Sequence, residues 1–157
     1  RGRPAADWMF YLASDLGDFS LVWHLVGVTQ GLRSDRDADL SFRLAGVLLA
    51  ESLLVNQGVK RLVRRPRPQA VEPRPHRLRR PLTSSFPSGH ASAAFTAATV
   101  LGAHDPRLRP LYYGIAAVVA TSRVHVQIHH ASDVIAGAAL GAVLGRTAVR
   151  LLDIRPR

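Results

Sequence analysis

The chain has 157 residues, enough for one domain over 1–157, and its 21 Lys and Arg against 11 Asp and Glu give a formal charge of +10. It contains no cysteine, which excludes disulfides, thiolate metal sites and a cysteine nucleophile. Charge of this sign suits nucleic acid, an anionic membrane surface or anionic substrates. Here the basic residues sit between long apolar runs rather than along a polar stripe, which points to membrane lipids as partners and away from nucleic acid.

Residues 7–14 read as a short amphipathic turn or the remnant of a helix, and Asp15-Leu16-Gly17-Asp18 as punctuation. The early run carries no basic region followed by a cleavage site, so no signal peptide is expected in it. Residues 19–32 form an apolar helix ended by Gly31 and the charged run 33–39. A second helix covers 42–59, interrupted only by Glu51 and Asn56, which are costly in lipid unless paired; an interhelical hydrogen bond is the plain reading of both. Asn56 lies one turn before Lys60 and is placed to support it. Residues 61–85, rich in Pro and Arg, have no helical period and form a loop. Helices follow at 91–103, 111–121 and 134–152.

These runs are somewhat short against the roughly 20 residues of a spanning helix, and the flanking residues bring several close to that length. Small residues dominate the last three, with Gly137, Gly141 and Gly145 at every fourth position. Such spacing lets helix backbones approach closely in lipid and offers a face for a homo-oligomer. The expected fold is all-α, a polytopic transmembrane bundle of about five to six helices with its active site at one membrane face. A soluble Ala-rich bundle is the competing architecture.

Three stretches carry chemistry. In the run from Lys60 to Pro68, Lys60 sits on the last turn of its helix, while Pro66 and Pro68 hold the chain extended around Arg67. One ammonium and one guanidinium are thereby held on a stiff segment, ready for phosphate oxygens. Taken alone, the run reads more readily as a basic juxtamembrane segment on lipid headgroups. In Ser85-Phe86-Pro87-Ser88-Gly89-His90, Ser88 is a good N-cap, Gly89 permits close approach, and His90 in the first turn can donate a proton to an anion at the helix start. Taken alone, this is an ordinary capped helix. In the stretch from Ser122 to Asp133, a helix beginning near His129 puts Asp133 four residues on, on the same face. There the carboxylate accepts from one ring nitrogen of His129 and leaves the other lone pair outward, as a nucleophile or base requires. Arg123 adds a fixed positive charge.

In this order, the motifs Lys-x6-Arg-Pro, Pro-Ser-Gly-His and Ser-Arg-x5-His-x3-Asp resemble the signature of the type 2 phosphatidic acid phosphatase superfamily over roughly 42–152. The matching positions are Lys60, Arg67 and Pro68; Pro87, Ser88, Gly89 and His90; Ser122, Arg123, His129 and Asp133. The resemblance implies an all-helical membrane enzyme that hydrolyses a lipid phosphate or diphosphate without metal or other cofactor. It implies that His129 attacks phosphorus and forms a phosphohistidine, that Asp133 orients it, and that His90 protonates the leaving alkoxide. It further implies a clamp of Lys60, Arg67 and Arg123 on the phosphate, with Ser88 and the Gly89 N–H as neutral donors. Substrates of that class are polyprenyl phosphates or diphosphates, phosphatidic acid, phosphatidylglycerophosphate or a phosphorylated polyprenyl-phosphate sugar. The same superfamily contains soluble acid phosphatases and vanadium-dependent haloperoxidases; the remaining alternative is a non-catalytic basic membrane protein.

Other readings stand beside these. On one continuous helix, His125, His129 and Asp133 at i, i+4 and i+8 would present three metal ligands. His130 and His125 read as polar residues at a membrane interface, and His24, His76 and His104 have no evident partner. Arg74, Arg77, Arg79 and Arg80 are extra to the signature and read equally as a second attraction for an anionic headgroup or phosphate and as a solvated basic loop against lipid. With Lys60, Arg67 and Arg123 set aside, Lys and Arg balance between the two faces, so charge does not orient the bundle. The resemblance leans towards an extracytoplasmic site in the cell membrane.

Overall fold

A computed structural model describes residues 4–69 and 83–157 of the chain. Among the described residues it contains six helices and no strand. α1 spans Pro4–Leu16 and leads through a 3-10 turn, Asp18–Ser20, into α2, Leu21–Gly31. α3 spans Asp35–Ser52 and runs on as a π-helical stretch, Leu53–Val59, and a last α turn, Lys60–Leu62. α4 is Gly89–His104, α5 Arg109–His125 and α6 Ala131–Leu151.

The helices exceed their sequence-based bounds wherever a cap extends them. α3 starts within the charged run 33–39 because the Ser34 hydroxyl accepts from the Asp37 N–H at 3.2 Å, and Asp35 and Asp37 suit the positive end of the helix dipole. α5 starts two residues early, with Pro110 in its first turn, where the missing N–H costs nothing. At its other end it continues through Arg123 to His125. α1 is a full helix rather than a remnant.

α4 is the central helix. Ala93, Ala94, Ala97, Ala98, Val100 and Leu101 are all buried, packed with Leu40, Leu44 and Leu48 of α3, Trp23 of α2 and Tyr112 of α5, while Ala91 is buried against Ala120 of α5 and Val134 of α6. Against it lies the glycine face of α6. A Cβ at Gly137 would run into the Ser88 carbonyl, one at Gly141 into the Ser92 carbonyl, and one at Gly145 would come within 2.6 Å of Thr99 Cβ. The backbones are therefore in direct contact, and the Thr96 hydroxyl donates to the Gly141 carbonyl at 3.1 Å across the seam. This corrects one expectation: the small-residue face is filled by α4 within the bundle, so a homo-oligomer would have to use another surface.

That other surface is apolar. Trp8, Phe19, Leu25, Val28, Leu32, Phe42, Leu49, Leu62, Leu111, Ile135 and Leu151 all stand exposed around the outside, far more than the scattered apolar residues a water-facing surface carries. Among the described residues one helix, Ala131–Leu151, is long and apolar enough by itself to cross a membrane.

Candidate active site

At one end of the bundle, the exit of α3, the start of α4 and the turn joining α5 to α6 surround an open cleft of about 1350 Å³. Lys60, Arg67, Gly89, His90 and His129 line it together with Glu51, Asn56 and three further arginines, Arg61, Arg64 and Arg65. The fold thus brings residues from all three motifs onto one cavity.

The π stretch of α3 shapes the first wall. A wider turn changes the phase of the residues that follow it, a device common at functional sites. Lys60 emerges nearly buried, donating from Nζ to Asn56 Oδ1 at 2.7 Å, while Asn56 Nδ2 donates to Ser52 Oγ at 3.0 Å. The expected support of Lys60 by Asn56 is formed. Gly89 makes room for it, because a Cβ there would lie 3.1 Å from Asn56 Oδ1 and 3.3 Å from Lys60 Nζ. Glu51 is 4% exposed and faces the Ser92 hydroxyl of α4, the neighbouring helix, while its Oε1 has no hydrogen-bond partner among the described residues.

Arg67 is stitched to the opposite wall. Its Nε donates to the Thr83 carbonyl and Nη2 to the Ser84 carbonyl, both at 3.2 Å. Nη1 donates to the Ile128 carbonyl and lies 3.2 Å from His129 Nε2. The two ends of the long loop are pinned nearby, Ser85 N to the Arg65 carbonyl at 3.0 Å and Ser85 Oγ to the Pro66 carbonyl at 3.1 Å. Arg74, Arg77, Arg79 and Arg80, with His76, lie outside the described residues.

His129 stands in the turn between α5 and α6. Val126 and Ile128 are fully buried beneath it against Tyr11 of α1, each contributing roughly 1.5–3 kcal/mol of burial that fixes the turn. Gln127 takes a left-handed conformation, φ 54°, to reverse the chain. A guanidinium can only donate, so the contact with Arg67 makes Nε2 the unprotonated nitrogen and places the ring proton on Nδ1. Burial, reinforced by Arg67, Arg123 and Lys60, pushes the His129 imidazole far below its usual pKa. The ring is therefore neutral at physiological pH, with its lone pair on the cleft side.

α6 begins at Ala131 with His130 as N-cap, two residues later than a helical His129–Asp133 spacing requires. Asp133 instead caps its own helix, accepting from His130 N at 2.9 Å and from His130 Nδ1 at 3.2 Å. His129 Nδ1 faces the same carboxylate at 3.7 Å, beyond hydrogen-bond length, and has no other partner. Asp133 is thus in place behind His129 without touching it. It is held there by Arg65, whose Nη1 donates to Asp133 Oδ1 at 2.7 Å and to Ser132 Oγ at 2.8 Å.

Two of the expected binding residues sit one layer back. Ser88 is fully buried and serves as N-cap of α4, accepting from the Ala91 N–H at 3.4 Å and donating its own N–H to the Asp133 carbonyl at 2.9 Å. Arg123 is 1% exposed in the last turn of α5, and its Nη1 donates to the Ser14 hydroxyl and carbonyl of α1. Neither lines the cleft. His125 closes α5, its Nε2 lying 2.7 Å from Asp7 Oδ1, which accepts from it, and its ring stacking on Phe10 at 4.5 Å. His125, His129 and Asp133 therefore occupy a helix end, a turn and a second helix, so the three-ligand ladder of one continuous helix is not formed.

Sequence reasoning missed three contributors. Asp18 Oδ1 lies 2.8 Å from His90 Nε2, Ser14 holds Arg123, and Arg65 holds Asp133. None carried a signal: Asp18 read as a helix breaker, Ser14 as the end of an amphipathic turn, and Arg65 was one arginine in a run of them.

The family model described as the PAP2 superfamily matches residues 41–157. The decaprenylphosphoryl-5-phosphoribose phosphatase of Mycobacterium tuberculosis is 37% identical over 105 residues, covering 64% of this chain and 54% of that protein. The lipid A 1-phosphatase of Porphyromonas gingivalis is 35% identical over 75 residues, 45% of this chain and 17% of that one. The chain thus spans about half the length, or less, of these curated relatives. Among solved structures, the transmembrane PAP2-type phosphatidylglycerolphosphate phosphatase of Bacillus subtilis superposes with a TM-score of 0.71 at 25% identity, over 96% of this chain and 78% of that one.

Proposed function

Because this chain belongs to the PAP2 superfamily, we propose that it is an integral-membrane phosphatase that hydrolyses a lipid phosphate or diphosphate through a phosphohistidine on His129, with no metal ion. The observation that carries this reading is the cleft itself: a buried histidine, its Nε2 3.2 Å from Arg67 Nη1, lining one cavity with Lys60 and four arginines. An anionic phosphoryl group entering the cleft takes the hydrogen bond that Arg67 Nη1 now gives to His129. That frees Nε2 and moves the guanidinium charge onto the phosphate oxygens.

Attack by Nε2 on phosphorus then leaves a proton on Nδ1 of a positively charged ring. The Asp133 carboxylate, 3.7 Å away, stabilises that charge once a small shift of the turn closes the gap. His90, across the cleft, gives its proton to the departing lipid oxygen. Lys60 and Arg67 hold the phosphoryl oxygens in line, while Arg123, behind the wall, contributes charge without contact. Ser88 and Gly89 act through backbone position, at the positive end of α4.

A long apolar exterior and a cleft at one bundle end suit a lipid tail lying along the helices with its headgroup in the cavity. The named activities of the relatives, on a polyprenyl-phosphate sugar and on lipid A, favour a phosphorylated glycolipid within the substrate class expected from sequence. We place the site on the extracytoplasmic side of the cell membrane, the side towards which the family resemblance leans.

The test is phosphate release by detergent-purified protein from a panel of lipid phosphates, with EDTA present throughout. Release that disappears in His129→Ala and persists in EDTA supports the proposal. Activity lost in EDTA and restored by a divalent ion overturns the metal-free mechanism. Vanadate, whose five-coordinate form mimics the transition state, is expected to inhibit. A cysteine introduced at Gln69, in a chain that has none, reports sidedness: labelling by an impermeant maleimide only after lysis overturns the extracytoplasmic placement.

A further inference from the structure

His90 has a carboxylate partner that lies outside the residues matched by the family. Asp18 Oδ1 is 2.8 Å from His90 Nε2, whereas the family match begins at residue 41. The contact is built rather than incidental. Asp18 opens the 3-10 turn between α1 and α2, and the next two residues, Phe19 and Ser20, both take left-handed conformations at φ 52° and 58°. Non-glycine residues adopt that region at a cost, so neighbouring packing must hold the turn in place. Gly17 completes the fit, since a Cβ there would lie 2.7 Å from His90 Cδ2. Any larger residue at position 17 would push the imidazole out of its seat.

We infer that Asp18 is a positioning residue for His90, fixing which of its nitrogens faces the reacting phosphate and stabilising its protonated form. This rests on the phosphatase reading above. With Nε2 held by the carboxylate, Nδ1 is the nitrogen left to serve the lipid oxygen. Burial, and then the cations Arg123 and Lys60, oppose a proton on His90, and Asp18 is the carboxylate in contact that offsets part of that opposition. In the first step the P–O bond breaks with its electron pair on the lipid oxygen as the Nε2–P bond of His129 forms, and His90 Nδ1 gives that oxygen its proton. In the second, water attacks phosphorus, His90 takes a proton from it, and the N–P electron pair returns to His129 as inorganic phosphate leaves. Both steps need the His90 ring held in one orientation and able to carry charge, which is the work Asp18 is placed to do.

A purely structural tether between the 18–20 turn and α4 would also show a short Asp18–His90 contact, so the test must separate charge from anchoring. Asp18→Asn keeps a hydrogen-bond acceptor for His90 and removes the charge; Asp18→Glu keeps the charge. Each is assayed with a long-chain alkyl monophosphate in mixed micelles, whose leaving oxygen needs a proton, and with p-nitrophenyl phosphate, whose leaving oxygen does not. The expected result for Asp18→Asn is a roughly 10–100-fold fall in kcat on the alkyl ester, with KM within about twofold, and less than about threefold change on the nitrophenyl ester. Asp18→Glu is expected to recover part of the loss. Equal losses on both esters, or none on either, overturn the assignment while leaving the phosphatase reading intact. If Asp18→Asn does not fold, Asp18→Ser is read by the same ratio. Wild-type protein that releases phosphate from neither ester overturns the phosphatase reading and this inference with it.

Discussion

Both ends of this bundle hold a histidine, an aspartate and an arginine, and they are built to opposite effect. At the end away from the cleft, His104 Nε2 meets Asp37 Oδ1 at 2.6 Å, and the other carboxylate oxygen accepts from Ser34 at 2.8 Å and from Arg157 at 3.2 Å. His104 and Asp37 are both buried and each carboxylate oxygen is satisfied, as structural networks require. At the cleft, His129 and Asp133 are as deeply buried, yet they stand 3.7 Å apart, His129 Nδ1 has no partner, and Nε2 only borrows a hydrogen bond from Arg67. Identical residue types thus make a closed clasp in one place and an unfinished network in the other. What separates structure from chemistry here is not which residues are buried together but whether their hydrogen-bonding capacity is used up.

The largest expected effect breaks the open end. His129→Ala should lower phosphate release by at least about a thousandfold, the scale of a lost nucleophile, while the melting temperature in detergent holds or rises because an incompletely paired buried ring has been removed. A variant that keeps its activity would mean that the unfinished network is not the site. Asp133→Asn comes next. Asparagine still accepts from the His130 N–H and so keeps the cap of α6, but it cannot balance a charged His129. A fall of roughly 10–100-fold in kcat is expected, smaller than for the nucleophile itself. A loss as complete as that of His129→Ala would mean that the carboxylate does more than stabilise charge.

At the closed end the same surgery should do the reverse. His104→Ala leaves the Asp37 carboxylate buried with fewer partners, at a cost of roughly 1–3 kcal/mol, read as a lower midpoint in a denaturant titration. The kcat of the protein that remains folded should stay within about twofold. A catalytic defect at full stability would show that the two ends communicate.

The smallest effect is a difference in pH response. Because the folded state holds the His129 pKa below its unfolded value, the unfolded chain binds the extra proton first as pH falls. The stabilising contribution is full above the ordinary histidine range near ~6.5 and is lost as pH drops below it. His129→Asn should flatten the acid side of a plot of melting temperature against pH in the substrate-free protein. An unchanged slope would mean that His129 is not held neutral by its surroundings.

Much of this was legible in the chain. Helix number and order followed from apolar runs, because burying an apolar face is a local property repeated every turn. Lys60, Arg67, His90 and His129 could be expected in one cleft only through the resemblance of their three motifs to the superfamily signature, since the motifs lie tens of residues apart in the chain. Boundaries shifted where a cap decided them, as Ser34 did for α3 and His130 for α6, since a cap is one hydrogen bond that propensity does not register.

The sequence alone therefore determined an all-helical chain, its basic character and the motif residues that match the PAP2 superfamily, all of which reside in residue types and near-neighbour spacing. Only the tertiary structure decided that Asp133 stands off from His129, that Ser88 and Arg123 sit behind the wall, that the glycine face of α6 is filled by α4, and that α1 and its turn deliver Ser14 to Arg123 and Asp18 to His90. The physical reason is range. Asp18 and His90 are 72 residues apart in the chain, and their hydrogen bond forms only because Gly17 lets the imidazole sit against the turn, a coincidence in space that no periodicity along the chain records.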